Sequence, residues 1–123
     1  MQQGRMEMQA EFKPDQEIDD GLVVRLQGAI DVVTADQLWE LALERVGAGA
    51  RFFLFDFSGV TILTSAGIGM LVRLLIRLRG QSGTLAVFGC NDHICDVFDI
   101  VLLKEILQVC GSEDEARGKL QSR

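Results

Sequence analysis

Met6, Met8, Ala10 and Phe12 alternate with Glu7, Gln9, Glu11 and Lys13 at the start of the chain. A period of two belongs to a half-covered strand, here an outer one. The acidic stretch 14–21 ends in Asp19-Asp20-Gly21, a turn signal that returns the chain into a second strand over 22–26 and closes a hairpin. Residues 28–33 read as a short connection. From Thr34 the period changes. Leu38, Leu41, Ala42 and Arg45/Val46 recur at helical spacing, Thr34 and Gln37 stand at capping-box distance, and Gly47 and Gly49 supply a stop after about Val46. Trp39 lies beside this stripe and is expected to be partly covered packing.

Phe52-Phe53-Leu54-Phe55 is apolar at every position, as in a parallel strand with both faces covered. Asp56, Ser58 and Gly59 are expected to end it, with a loop over 60–64 leading to a helix from Ser65 to Gly80. Gly80 and Gly83 bracket a turn into an apolar strand over 84–88. Asn91 is placed to cap a third helix with an Ile94, Val97, Phe98 and Val101 stripe. Residues 104–109 form a short strand or an irregular connection. Ser112 and Glu115 then open a polar C-terminal helix expected to fray towards Arg123. The order ββαβαβα(β)α predicts an α/β fold: one domain over 1–123, with a mixed sheet of four to five strands, about four helices, a core over 6–110 and the last helix over 112–121.

Composition narrows the function. The chain of 123 residues is 48% hydrophobic and 24% charged, within the range of one globular domain. A net charge of -6 and a pI near 4.7 argue against nucleic acid and anionic lipid surfaces, which are bound through clustered Lys and Arg. Arg73, Arg77 and Arg79 form the one local basic run. Cys90, Cys95 and Cys110 are odd in number and lack CxxC spacing, so they suggest reduced core thiols, not a disulfide framework or a zinc site. The single histidine, His93, reads as a surface or capping residue. No constellation of nucleophile, base and acid appears, and neither a metal nor a cofactor is expected. Residues 1–10 lack the apolar centre of a secretory signal, and the apolar stretch 60–78 is interrupted by Ser65, Arg73 and Arg77. The expectation is a cytoplasmic protein without direct membrane insertion.

Thr64-Ser65-Ala66-Gly67-Ile68-Gly69 carries the candidate chemistry. Ser65 falls at a helix N-terminus, where free N–H groups and the helix dipole favour an anion, so a phosphate of about -1.5 to -2 charges would be accommodated there. Ala66, Gly67 and Gly69 are small enough to leave the hydroxyl open to another protein's active site. A second reading stays open: Ser65 or Thr64 only caps the helix, and the glycines only permit close packing on a strand. Along the same helix Ile68, Leu71, Val72, Leu75 and Leu78 form the face for the sheet, while Met70 and Leu74 widen the stripe beside Arg73 and Arg77. Met70 and Leu74 are either partner contacts next to Ser65 or positions covered by a neighbouring helix or loop.

These residues resemble the STAS family, named for sulfate transporters and anti-sigma factor antagonists. Gly28-Ala29-Ile30-Asp31 is similar to its G-x-[IL]-D after the second strand, Phe55-Asp56-Phe57-Ser58-Gly59-Val60 to its third strand, and Ser65-Ala66-Gly67-Ile68-Gly69 to the loop entering its second helix. The resemblance implies a non-enzymatic partner-switching protein. Unphosphorylated, it binds an anti-sigma factor that is also a GHKL-type serine kinase; phosphate on Ser65, with Thr64 as the alternative acceptor, ends the binding, and a PP2C-type phosphatase restores it. Asp31, Thr64, Ser65, Ala66, Gly67, Met70, Arg73 and Leu74 are the partner-binding candidates; Asp31 reads equally as a turn residue. Thr64 stands where many switching members carry Asp. The alternative function is a constitutive STAS subunit of a larger assembly, such as a lipid-transport ABC complex. Oligomeric state is left open.

Overall fold

The opening alternation becomes β1 (Met8–Pro14), which pairs antiparallel with β2 (Gly21–Ile30), Met8 opposite Gly28 and Pro14 opposite Leu22. The computed structural model describes residues 8–100 and 103–121; Met6 and Glu7 of the first alternation and Val101 of the third helical stripe lie outside the described residues. Between β1 and β2 the Asp15 carboxylate accepts the amides of Glu17 and Ile18 at 3.0 and 3.1 Å, and Asp20 takes a left-handed φ of 61° at the predicted turn.

The remaining elements are α1 (Val32–Gly47), β3 (Phe52–Leu63), α2 (Ser65–Arg79), β4 (Thr84–Phe88), α3 (Asp92–Ile100), β5 (Val109–Cys110) and α4 (Glu113–Gln121). The strands lie in the order β1-β2-β3-β4-β5, and every pair after the first is parallel. Alternation decides the layers. Phe53, Phe55 and Phe57 join Leu22, Val24, Leu85 and Val87 under α1, α2 and α3, whereas Val23, Leu54, Ala86 and Phe88 face Ala116 and Leu120 of α4. The central strand is covered on both faces, as its uninterrupted apolar run requires.

Three boundaries depart from the sequence expectations. The second strand does not stop at Leu26 but runs to Ile30, absorbing half of the expected connection. The third does not end at Asp56 to Gly59: it continues to Leu63 with register shifts against β2 between Arg25 and Gln27 and between Gly28 and Ala29. Ser58-Gly59 is therefore part of a bulge, not a turn, and a Cβ on Gly59 would sit 2.7 Å from the Leu26 carbonyl oxygen. The cap of α1 is Asp31, not Thr34. Asp31 accepts the Thr34 amide at 3.0 Å, and the Thr34 hydroxyl accepts the Asp31 amide at 2.8 Å, closing the box one turn earlier than Thr34-Gln37 would.

At the other end α4 is docked along its described length, with Ala116 and Leu120 buried. Arg117 donates to Asp15 at 2.7 Å and to Glu113 at 2.9 Å, fastening the helix to the β1–β2 turn. The expected capping spacing is realised by Ser112, whose hydroxyl accepts the Glu115 amide at 3.1 Å.

Candidate functional site

Because β2, β3 and β4 are parallel, α1, α2 and α3 all begin at one edge of the sheet. Asp31, Thr64 and Asn91, the residues that precede these helices, are therefore neighbours in the fold despite their separation in sequence. Thr64 joins two of them: its amide and its hydroxyl both donate to the Ile30 carbonyl, at 3.0 and 2.9 Å.

Thr64 is the N-cap of α2, with φ -94° and ψ 173°, yet its hydroxyl does not cap; it turns inward to β2. Among the described residues no side chain caps this helix. Ser65 follows as the first helical residue, exposed, and its hydroxyl has no hydrogen-bond partner among the described residues. An outward hydroxyl beside uncapped helical amides can accept a phosphoryl group without losing an internal bond. The inward hydroxyl of Thr64 cannot.

The two glycines here do different things. Gly67 is buried, and a Cβ on it would fall 2.6 Å from a Leu63 methyl and 2.7 Å from Ile30, so its absence of a side chain lets α2 approach the strand ends. Gly69 meets nothing within 4 Å and leaves open surface next to Ser65. Of the two glycine roles foreseen in the sequence, close packing belongs to Gly67 and openness to Gly69. Ala66 is partly buried against the core.

Met70 and Leu74 need correction as partner contacts. At 3% and 0% exposure they are core side chains, covered where α1 packs on α2, so no partner reaches them in the folded domain. Arg73 remains exposed, its guanidinium 4.2 Å from the centre of the partly covered Trp39 ring of α1. Asp31 is ionised at the edge: the Thr34 amide and then the Thr34 hydroxyl hold its carboxyl below the usual value.

Sequence reasoning missed the apolar part of this surface. Val32 and Val33 in the first turn of α1 are 66% and 63% exposed, and Ile62, paired beside Ala29 near the end of β3, is 53% exposed. Assigning 28–33 and 60–64 to loops hid that these three side chains share the edge with Ser65. The available signal was an unexplained pair of valines directly after Asp31.

Asp56 and Arg25 lie elsewhere, on the α4 face, paired at 2.7 Å. No described helix is long and apolar enough to cross a membrane. Cys90 and Cys95 are partly buried and Cys110 is buried; all three are free thiols.

Comparison with known proteins gives one family and a consistent set of folds. A family model for the STAS domain matches residues 11–116. The anti-sigma-B factor antagonist of Staphylococcus epidermidis is 29% identical over 91 residues, covering 74% of this chain and 84% of that protein. Among solved structures, an anti-sigma factor antagonist from Mycobacterium paratuberculosis superposes with a TM-score of 0.81 at 21% identity, over 94% of this chain and 95% of that one. The anti-sigma factor antagonist SpoIIAA in its unphosphorylated form gives 0.74 at 18% identity, over 92% and 98% of the two chains.

Proposed function

We propose a function from the premise that this chain belongs to the STAS domain family: it is an anti-sigma factor antagonist, a protein that acts by binding and is switched by phosphorylation on Ser65. Unphosphorylated, it docks an anti-sigma factor that is also a GHKL-type serine kinase, through the edge formed by Asp31, Val32, Val33, Ile62 and Ser65. Phosphate on Ser65 ends that binding, and a PP2C-type phosphatase restores it.

The observation that carries this reading is the contrast between adjacent hydroxyls: Thr64 is bonded inward to Ile30, and Ser65 is exposed beside uncapped amides. The antagonist named among the relatives supports the same direction. The switch needs no refolding. A dianion added among exposed apolar side chains must be desolvated against the partner, and it adds negative charge to an edge that already carries the Asp31 carboxylate. A constitutive subunit of a transporter assembly is not favoured, since it gives the free Ser65 hydroxyl no role.

The test is reconstitution of this chain with the anti-sigma kinase that it binds. With ADP the complex should persist. With ATP the wild-type chain should gain one phosphate on Ser65 and dissociate, while Ser65→Ala stays bound. Retention of the wild-type complex in ATP, or equal release of Ser65→Ala, would contradict the proposal.

A further inference from the structure

Two thiols at the docking edge have no part in the phosphorylation switch. Asn91 caps α3, accepting the Ile94 amide at 2.8 Å. Cys90 is thus the residue before the cap and Cys95 the fourth residue after it, the two positions whose side chains meet across a first helical turn, commonly as an apolar staple. Here both members are cysteines. The Cys95 thiol points back across this turn, 3.7 Å from the carbonyl oxygen of Cys90 itself. Both are partly exposed, whereas Cys110 is buried on the opposite face of the sheet against α4.

We infer that Cys90 and Cys95 are a thiol pair that closes to an intramolecular disulfide by exchange with a small-molecule disulfide such as oxidised glutathione. The bridge would enclose Asn91, whose side-chain amide also donates to the Val60 carbonyl of β3 at 3.4 Å. Oxidation would therefore clamp the first turn of α3 where it meets the edge that carries Ser65.

The order of events follows from the two environments. Cys90 packs against the hydrophobic core; this burial, and then the neighbouring Cys95, push its thiol up to about 12, and a covered, protonated thiol is a poor first nucleophile. Cys95 starts the exchange. Its thiolate attacks one sulfur of oxidised glutathione, a protein–glutathione mixed disulfide forms, and one glutathione thiolate leaves. The Cys90 sulfur, losing its proton, attacks the Cys95 sulfur, and the second glutathione leaves. Two protein thiols are oxidised to one disulfide, one glutathione disulfide is reduced to two thiols, and the two protons released go to the departing thiolates.

The experiment is a time course of the reduced full chain with oxidised glutathione, quenched by acid and alkylation, followed by intact mass and peptide mapping. The expected course is a transient glutathione adduct on Cys95 that converts to a Cys90–Cys95 disulfide, a loss of the mass of two hydrogens. Cys90→Ser should stop at the stable adduct on Cys95, and Cys110→Ser should behave as the wild type. A permanent adduct on Cys95 in the wild-type chain, or cross-linking that requires Cys110, would overturn the inference.

Discussion

At the start of α2, adjacent hydroxyls differ in one respect that decides their chemistry: Thr64 has a bond to lose and Ser65 does not. Thr64→Val should cost about 1 kcal/mol by leaving the Ile30 carbonyl without one donor. Phosphorylation of Ser65 should continue in that variant, as a kinase assay with site mapping would read. If phosphate incorporation vanishes with Thr64 while the fold persists, Thr64 is the acceptor. The exposed apolar side chains make a separate prediction. Val33→Glu places a charge on a side chain that is 63% exposed, so thermal stability should hardly change, whereas affinity for the anti-sigma partner should fall at least about tenfold in a titration. Unchanged affinity would remove Val33 from the interface. Ser65 itself was legible in the sequence, because its place before an apolar helix follows from local pattern. The fate of Thr64 was not, since its bond to Ile30 crosses between strands separated by a whole helix.

Among the elements, the start of α2 depends on a missing side chain. Gly67→Ala should destabilise the domain by about 1–3 kcal/mol, because its Cβ would press into Leu63 and Ile30 in a filled core. Gly69→Ala, in open space on the same helix, should instead stabilise by about 0.5–1 kcal/mol. Urea titrations of both variants measure the contrast; equal effects would show that packing against the strand ends does not govern this turn. The difference between these glycines could not be read from spacing. The same holds for β3, where Ser58-Gly59 has the composition of a turn and becomes a bulge because β2 continues alongside it. Periodicity did identify α2 and α3, since amphipathic stripes and caps are local properties. It overextended the surface of α2: a stripe wide enough for two neighbours, the sheet and α1, looks like one face too many when the second neighbour is unknown.

Over the whole molecule, charges hold the termini of the domain together. Asp15 is held below the usual carboxylate range first by its bond from Arg117, and Asp31 by the Thr34 amide. Burial pushes Asp56 up, yet bonds from the Ser58 amide and hydroxyl and from Arg25 outweigh it, and the net shift is downward. Groups with depressed values in the folded state bind fewer protons there than when unfolded. Their contribution is present above about pH 4 and is lost as the pH falls through the depressed values. Melting temperatures should therefore be level near neutrality and decline below about pH 4; a level profile down to pH 3 would contradict this. Arg117→Ala should cost about 3 kcal/mol at neutral pH, since it leaves the Asp15 carboxylate, 4% exposed, without its cation. That pair was not legible from local pattern, because it joins residues from the two ends of the chain; the α4 amphipathicity it supports rests on Ala116 and Leu120.

If Ser65 is a regulated phosphoacceptor, site-resolved phosphopeptide mass spectrometry on the protein isolated from its own cells, under growth and under stress, will find it modified. The predicted result is phosphate on Ser65, none on Thr64, with an occupancy that changes between conditions. Complete coverage of the peptide containing residues 64–69 with no phosphate on Ser65 in any condition would rule out a switch at this residue.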